Sequence, residues 1–541
     1  MPRRIPVPSH RHAAPSGPWP WMDLDREFTP RATPLSEDAS AVSVHTWAGY
    51  PQSIFPNWTP DQVQRSGIQA ASMESEPCVV YEVDVLKDGN FQDPQEYKVS
   101  DTNKEEFWDE MQQRRRDDIR VRALFVEDMS GPILQMFGTK YKIEPFFFSD
   151  SINWIPARYQ EERRPGKGDH ITIVLTFIRK MPYSNTVRRS KAKKDSLVRD
   201  VLAGEQIIDT QAPLALRSNN CLLLLDLLAI HMVRTTHSST IISYHPPHCE
   251  TTSAKRLHAR ACYAGESVYW QKIFRKCKDP TFVLLAILWY ALYAWDEALE
   301  VLYAHIGQLE SRVMSTNDME LTRELHIIRA HLLHYASLLQ DFQKSVTFVL
   351  NTANPAMENT ELFTDQDRLE SKDLLKKEAD NLLSEVDRLQ RLRDMQDNRL
   401  KNVIDLAFAT VNIEDSRDMK KLTEATMRDS AAMKQISYLT MIFLPAGFAA
   451  GVFGMNVKEI NGSGSLWTLP HYILTSVILT CLSVWVIVAF QQESRFHEDK
   501  TAGFWARLMW PFMYVSRSIV AARQRMRPMK SEEESMDEKY I

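Results

Sequence analysis

The sequence predicts an α+β cytosolic domain followed by a long stalk helix and two C-terminal transmembrane helices. Three observations predict it. No charged residue falls between Lys434 and Lys458, and a second uncharged run lies between Glu459 and Glu493, with its apolar core over Leu469–Phe490. Each run is long enough to cross the hydrocarbon core of a bilayer as a helix, which takes roughly 20 apolar residues. Upstream, no glycine occurs between Gly307 and Gly447 and no proline between Pro355 and Pro445, so nothing interrupts a helix that leads into the first span. Earlier still, short apolar runs of strand character alternate with segments of helical periodicity, the pattern of a sheet flanked by helices.

The chain has 541 residues, which is more than one domain's worth. Charged residues make up 25% and hydrophobic residues 44%, an ordinary soluble composition, so most of the mass is expected outside the bilayer. A net charge of −5 argues against a general nucleic-acid partner. The six cysteines contain no CxxC pair, and the expectation is a reducing compartment without a disulfide framework. No N-terminal apolar run resembles a signal peptide, which leaves the first span as the insertion signal. No P-loop, GxSxG, HExxH or dinucleotide fingerprint is present, and an enzyme is not expected.

Residues 1–75 are rich in Pro, Ser and charge and lack periodicity, and they are predicted to be a disordered tail. Residues 76–280 are predicted to be the α/β cytosolic domain. Strands are expected at Cys78–Leu86, 121–127, 171–178, 221–230 and 240–244, the third and fourth being nearly continuous apolar runs that suit buried strands. Helices are expected at 103–116 and from Ser130, with Pro132 in the first turn. The stretch 144–149 (EPFFFS) reads as a hydrophobic turn. The basic run 188–194 (RRSKAKK) reads as a solvated loop or a contact for phosphate or lipid headgroups. His245, His248, Cys249 and Glu250 gather metal-capable side chains, but in no standard zinc spacing, and Pro246 and Pro247 point to a stiff turn.

Residues 281–364 are predicted to be a helical part of the cytosolic domain. The run 281–295 (TFVLLAILWYALYAW) is too short for a span before Asp296 and Glu297, and a buried core helix is expected there. Residues 365–432 are predicted to be the stalk. Leu375, Ala379, Leu382, Val386 and Leu389 keep coiled-coil spacing, and Leu400, Val403, Ala407 and Val411 resume it. One helix of roughly 90 residues, about 135 Å long, is expected to run into the first span, and a helix of that length needs partners.

The first span is predicted over 433–457. Ser437, Thr440, Leu444, Gly447, Gly451 and Gly454 recur at alternating spacings of three and four, which keeps them on one helical face. That small and polar face suits close helix packing or a pore wall built from several copies of the helix. Pro445 withdraws its own N–H and frees the Met441 carbonyl, which predicts a kink. An outer loop follows over 458–468, the second span over 469–490 and a cytosolic tail with an amphipathic segment over 491–541. Lys420, Lys421, Arg428 and Lys434 precede the first span and Arg495, Lys500 and Arg507 follow the second, whereas the loop carries only Lys458 and Glu459. The positive-inside rule places both termini in the cytosol.

The first span closes on Gly451-Val-Phe-Gly454-Met455-Asn456. This resembles the G-[VIY]-[FY]-G-M-N signature that ends the first span of the CorA-like family of divalent-cation transporters, magnesium and zinc among them. By itself that sequence also suits a helix end, since Gly and Asn both favour C-caps. The resemblance covers the last third of the chain firmly and the middle loosely, and the long tails mark a divergent, eukaryotic member. It implies a funnel-shaped homopentamer, a divalent ion as the transported species, no resident cofactor, and membrane lipid as the surrounding partner. It also implies a selectivity motif at Gly454, Met455 and Asn456. A ring of Asn456 carbonyls would hydrogen-bond the waters of Mg²⁺, an ion that dehydrates reluctantly. Ser437, Thr440, Gly447 and Gly451 would line the pore, with Met433 and Leu444 as constrictions. Asp415 and Asp418 are candidates for a cytosolic ion site, set against a solvated helix face. The outer loop departs from the acidic pattern of many relatives, because Lys458 offsets Glu459. That leaves open a Zn²⁺ transporter of the same fold, or a membrane-anchored scaffold or receptor that conducts nothing.

Overall fold

The computed structural model describes residues 15–17, 47–71, 77–182, 208–246, 253–315, 319–454 and 469–490, with isolated positions between 509 and 519. The chain divides into two compact units, residues 1–411 and residues 412–541.

The first unit is built on one mixed sheet. Its strands are β1 (Cys78–Leu86), β2 (Gln95–Val99), β3 (Ile119–Glu127), β4 (Ala157–Arg164), β5 (Gly168–Pro182), β6 (Leu214–Leu216), β7 (Cys221–Thr235) and β8 (Ser239–His245). They lie in the order β2-β1-β3-β8-β7-β5-β4, with β6 added beside β7. Among the described residues, only the β3–β8 pair is parallel. β7 is buried along nearly all of its 15 residues, and its continuous apolar sequence follows from having both faces covered.

Two ion pairs are buried in this sheet. Asp169 on β5 and Arg234 on β7 are fully enclosed, and Arg234 also donates to the Thr281 hydroxyl at 3.2 Å and the Thr352 carbonyl at 3.1 Å. Arg179 and Asp226 pair at 2.9 Å on the same two strands. A buried charge is tolerated only with such partners.

Helices α1 (Pro60–Arg65) and α2 (Ile68–Ala71) lie inside the segment expected to be a disordered tail. Residues 47–71 are instead part of the folded core. Thr59 caps α1 with a reciprocal capping box through Gln62, and Trp58, Val63 and Ile68 are buried. The Tyr50 hydroxyl donates to the Ile143 carbonyl at 2.6 Å. The Tyr50 ring occupies the space above Gly138 where any Cβ would stand, 2.4 Å from its nearest ring carbon. Single anchors and short turns hold this segment, so no periodic pattern announces it. The rest of 1–75, apart from residues 15–17, lies outside the described residues, as do the basic run 188–194 and residues 247–250.

Helices α3 (Lys104–Gln112), α4 (Gly131–Tyr141) and α5 (Pro145–Ile152) follow. The stretch expected to turn at 144–149 forms α5, with Phe146, Phe147 and Phe148 all buried. A helix enclosed on every side loses the amphipathic period that would reveal it.

Helices α6 (Ser253–Glu266), α7 (Val268–Lys276), α8 (Thr281–Ser315) and α9 (Met319–Asn351) complete the layer, with α8 and α9 packed against β5. The apolar start of α8 is a core helix as expected: 72% of its most apolar window is buried, against 11% in α10 (Asp365–Gly454). Helix α10 is 90 residues long and continues through Pro445.

Leu375, Ala379, Leu382, Val386, Leu389, Leu400, Val403 and Ala407 are all buried in one core with α8, α9 and the sheet. The coiled-coil seam over these residues is therefore covered by the chain's own helices and offers no free face to a second copy. Gln396 donates to the Leu299 carbonyl at 2.7 Å, and Arg388 bridges to Asp296 at 2.9 Å. The expected boundaries at 280 and 364 do not separate cores, since one hydrophobic cluster runs across both.

The second unit holds the rest of α10 and helix α11 (Leu469–Phe490), whose bounds match the expected second span. Every residue from 412 to 440 is exposed in this single chain.

Candidate functional site

The face predicted from the three-and-four spacing is present as a continuous strip of α10. Ser437, Thr440, Gly447, Gly451 and Gly454 are exposed, as are Met433 at 68% and Leu444 at 71%. At about 100° per residue this strip lies roughly opposite Pro445 and Ala449 around the helix. Pro445 and Ala449 are buried, and the Tyr472 hydroxyl of α11 lies 3.5 Å from the Ala446 carbonyl. The two helices of the hairpin thus meet on the proline and alanine side.

The glycines are not explained by that packing. A Cβ built on Gly447, Gly451 or Gly454 would meet nothing within 4 Å. Glycine in a helix interior costs about 1 kcal/mol relative to alanine, and among the described residues no neighbour requires it.

Thr440 has a defined role for its one hydroxyl hydrogen. It donates to the Ile436 carbonyl at 2.6 Å, within its own helix. The oxygen keeps its lone pairs and is left as an acceptor on the exposed strip. Around the strip, Ile436, Tyr438, Leu439, Ile442, Phe443 and Phe448 present a broad exposed apolar surface, far more than a soluble monomer shows.

Met455 and Asn456 of the expected selectivity motif, and Lys458 and Glu459 of the outer loop, lie outside the described residues; Gly454 is the last described residue of α10. The amphipathic segment expected after the second span also falls largely outside them.

Asp415 and Asp418 are exposed on α10, and Asp418 is paired with Lys421 at 2.9 Å. Among the described residues no group of three His, Cys, Asp or Glu side chains converges as a metal site. His245, taken from the sequence as metal-capable, is buried at the end of β8 and shares a hydrogen bond with the Ser243 hydroxyl at 2.8 Å. Burial lowers its pKa to about 4, so it is a neutral core histidine.

Residues 268–492 match the family described as CorA-like Mg²⁺ transporter protein, a stretch that runs from α7 through α11. No curated protein matches the chain. Among solved structures, it is similar to the complete CorA magnesium transporter of Methanocaldococcus jannaschii. Identity is 14%, the TM-score is 0.40, and 76% of this chain and 98% of that one are covered. It is also similar to the full-length CmaX protein, at 10% identity and a TM-score of 0.38 over 77% of this chain and 98% of the other. The cytoplasmic domain of ZntB from Vibrio parahaemolyticus is similar at 9% identity and a TM-score of 0.28, over 60% of this chain and 98% of that domain.

Proposed function

We propose, from the CorA-like region at 268–492, that this chain is the subunit of an oligomeric membrane channel or transporter for divalent cations, with Mg²⁺ as the ion. In this reading several copies of α10 surround an axis, with the strip from Met433 to Gly454 facing it. Met433 and Leu444 narrow the path; Ser437, Thr440, Gly447 and Gly451 line it; Asn456 carbonyls at its mouth bind the waters of the ion without removing them. Both termini are cytosolic.

The observation that carries the reading is the bare glycine face. Three glycines lie on one side of α10, and among the described residues nothing beyond the helix's own backbone comes within 4 Å of where a side chain would begin. Their cost to the helix is offset by something outside the chain, and a second copy or a passing hydrated ion meets that need. Thr440 adds to it, since an acceptor oxygen facing the axis suits the outward hydrogens of a cation's water shell.

One observation favours a second reading. Lys458 offsets Glu459 in the outer loop, so a ring of copies would attract cations weakly there. This suits a Zn²⁺ transporter of the same fold, or a scaffold that conducts nothing. The first span has no His or Cys to hold a bare Zn²⁺, so that ion would also pass hydrated.

The test is ion flux into liposomes containing the purified protein, with Mg²⁺ and Zn²⁺ measured in parallel, for the natural sequence and for Gly451→Leu. Mg²⁺ entry that Gly451→Leu reduces to background, in a protein of unchanged helix content, is the expected result. Flux of neither ion would sink the transport reading. Equal Mg²⁺ flux in the leucine variant would remove Gly451 from the path.

A further inference from the structure

Helices α6, α7 and α8 and the first part of α10 line an open cavity of about 630 Å³ in the first unit, far from the strip described above in sequence. This is the size of a small-molecule site. Its walls are aromatic. Tyr263 comes from α6, Tyr269 and Trp270 from α7, and Trp289 and Tyr293 from α8. Tyr263, Tyr269 and Tyr293 are exposed, so ring surface is open to an incoming molecule.

One charged group is set into this wall. Glu378 of α10 is only 3% exposed. One of its carboxylate oxygens accepts from the Tyr269 hydroxyl and the other from the Asn381 amide at 3.4 Å. Among the described residues no Lys, Arg or His lies within ion-pair distance of it. Two more charged side chains, Glu385 and Arg260, line the cavity, and the Tyr290 ring beneath Arg260 belongs to the same wall. Glu385 accepts from Arg388 at 2.7 Å, and the Arg260 guanidinium sits over the Tyr290 ring at 5.6 Å. Buried carboxylates are normally matched by a cation, as Asp169 and Asp226 are in the sheet. Glu378 has hydrogen-bond donors but no direct ion pair among the described residues; the nearest cation on this wall, the Lys377 ammonium, lies 6.0 Å over the Tyr269 ring.

Two features of different origin therefore select the same ligand charge. The faces of Tyr and Trp rings carry negative quadrupole density and attract an organic cation. The Glu378 carboxylate, set into the same wall, adds an acidic acceptor group on the side where an ammonium nitrogen would come. An anion would be repelled by both, and a neutral apolar molecule would gain area alone.

We propose that this cavity binds a small organic ammonium ion, with its nitrogen toward Glu378 and its carbon substituents against the aromatic walls. The test is calorimetric titration of the full-length protein in detergent with choline and with 3,3-dimethyl-1-butanol, the neutral molecule of the same shape. Choline is expected to bind saturably, and the alcohol about tenfold more weakly or worse, the ratio that one cation–π contact and one charge pair supply at least. Glu378→Gln and Tyr293→Ala are each expected to weaken choline several-fold. Tyr293 is largely exposed, so its loss leaves the fold intact and decides the matter even if Glu378→Gln fails to fold. No saturable binding, equal affinity for choline and the alcohol, or unchanged affinity in Tyr293→Ala would each overturn the proposal.

Discussion

Asn456 carries the most weight of any single residue in the proposed path, and a substitution there separates chemistry from folding. Asn456→Ala removes every carbonyl acceptor of the ring at once, so divalent flux should fall to background. Its sequence position, two residues past Gly454, suits a helix cap, whose loss would cost about 1 kcal/mol or less, so oligomer size on the same sample should not change. Unchanged flux in a correctly assembled alanine variant would return the residue to the status of a helix end. A second residue-scale prediction concerns Glu161 on β4. Burial and a hydrogen bond with Glu144 raise its carboxyl from 4.5 to about 9. The folded state therefore holds a proton that the unfolded chain releases near pH 4.5. That contribution to stability is full below pH 4.5 and is lost as pH rises through about 9. Glu161→Gln has no proton to lose, so its melting temperature should fall less between pH 5 and pH 9 than that of the natural sequence. Parallel melting curves across that range would show that the Glu161 proton does not contribute.

At the scale of elements, α10 changes its partners along its length. From Leu375 to Ala407 its apolar seam is buried against α8 and α9, whereas from residue 412 to 440 every position is exposed. A charge in the first stretch should therefore unfold the first unit and not merely dissociate copies. Val386→Asp places an unpaired carboxylate in a fully buried position and should lower stability by several kcal/mol, of the order seen for unpaired buried charges. Thermal melting should collapse in that variant. A well-folded monomer would instead mean that the seam is an interface between copies. The periodicity of this seam was legible in the sequence, but heptad spacing reports only that one face is apolar and is silent about what covers it. β7 and α11 were legible for a stronger reason: a long uninterrupted apolar run has few places to go. The segment 47–71 was not legible, because a tyrosine over a glycine and one capping box leave no repeating signal. The Glu378 cavity was equally hidden, since its aromatics come from three helices and its carboxylate from a fourth, more than 80 residues away in sequence. At the strip on α10, spacing alone gave the residues that share a face. It did not give the finding that α11 packs on the other side.

At the scale of the whole molecule, the reading requires that the loop between the two spans lie across the membrane from both termini. Charge is the warrant. Lys420, Lys421, Arg428 and Lys434 stand before the first span and Arg495, Lys500 and Arg507 after the second, while the loop holds one lysine and one glutamate that offset each other. Basic residues flanking a span are retained on the cytosolic side, and two spans return the chain to the side from which it started. A cysteine placed at Ser463, in a background without the native cysteines, should react with a membrane-impermeant thiol reagent added to intact cells. A cysteine at Ser430, which precedes the first span, should react only after permeabilisation. The pair matters more than either alone, because a protein held in an internal membrane would protect both sites in intact cells and would then need sealed vesicles of known orientation. If Ser430→Cys is labelled from the outside and Ser463→Cys is not, the hairpin is inverted. The Asn456 ring would then face the cytosol, and an ion entering the cell would meet the Met433 constriction before any carbonyl ring, which removes the reason for a hydrated-ion filter at the point of entry.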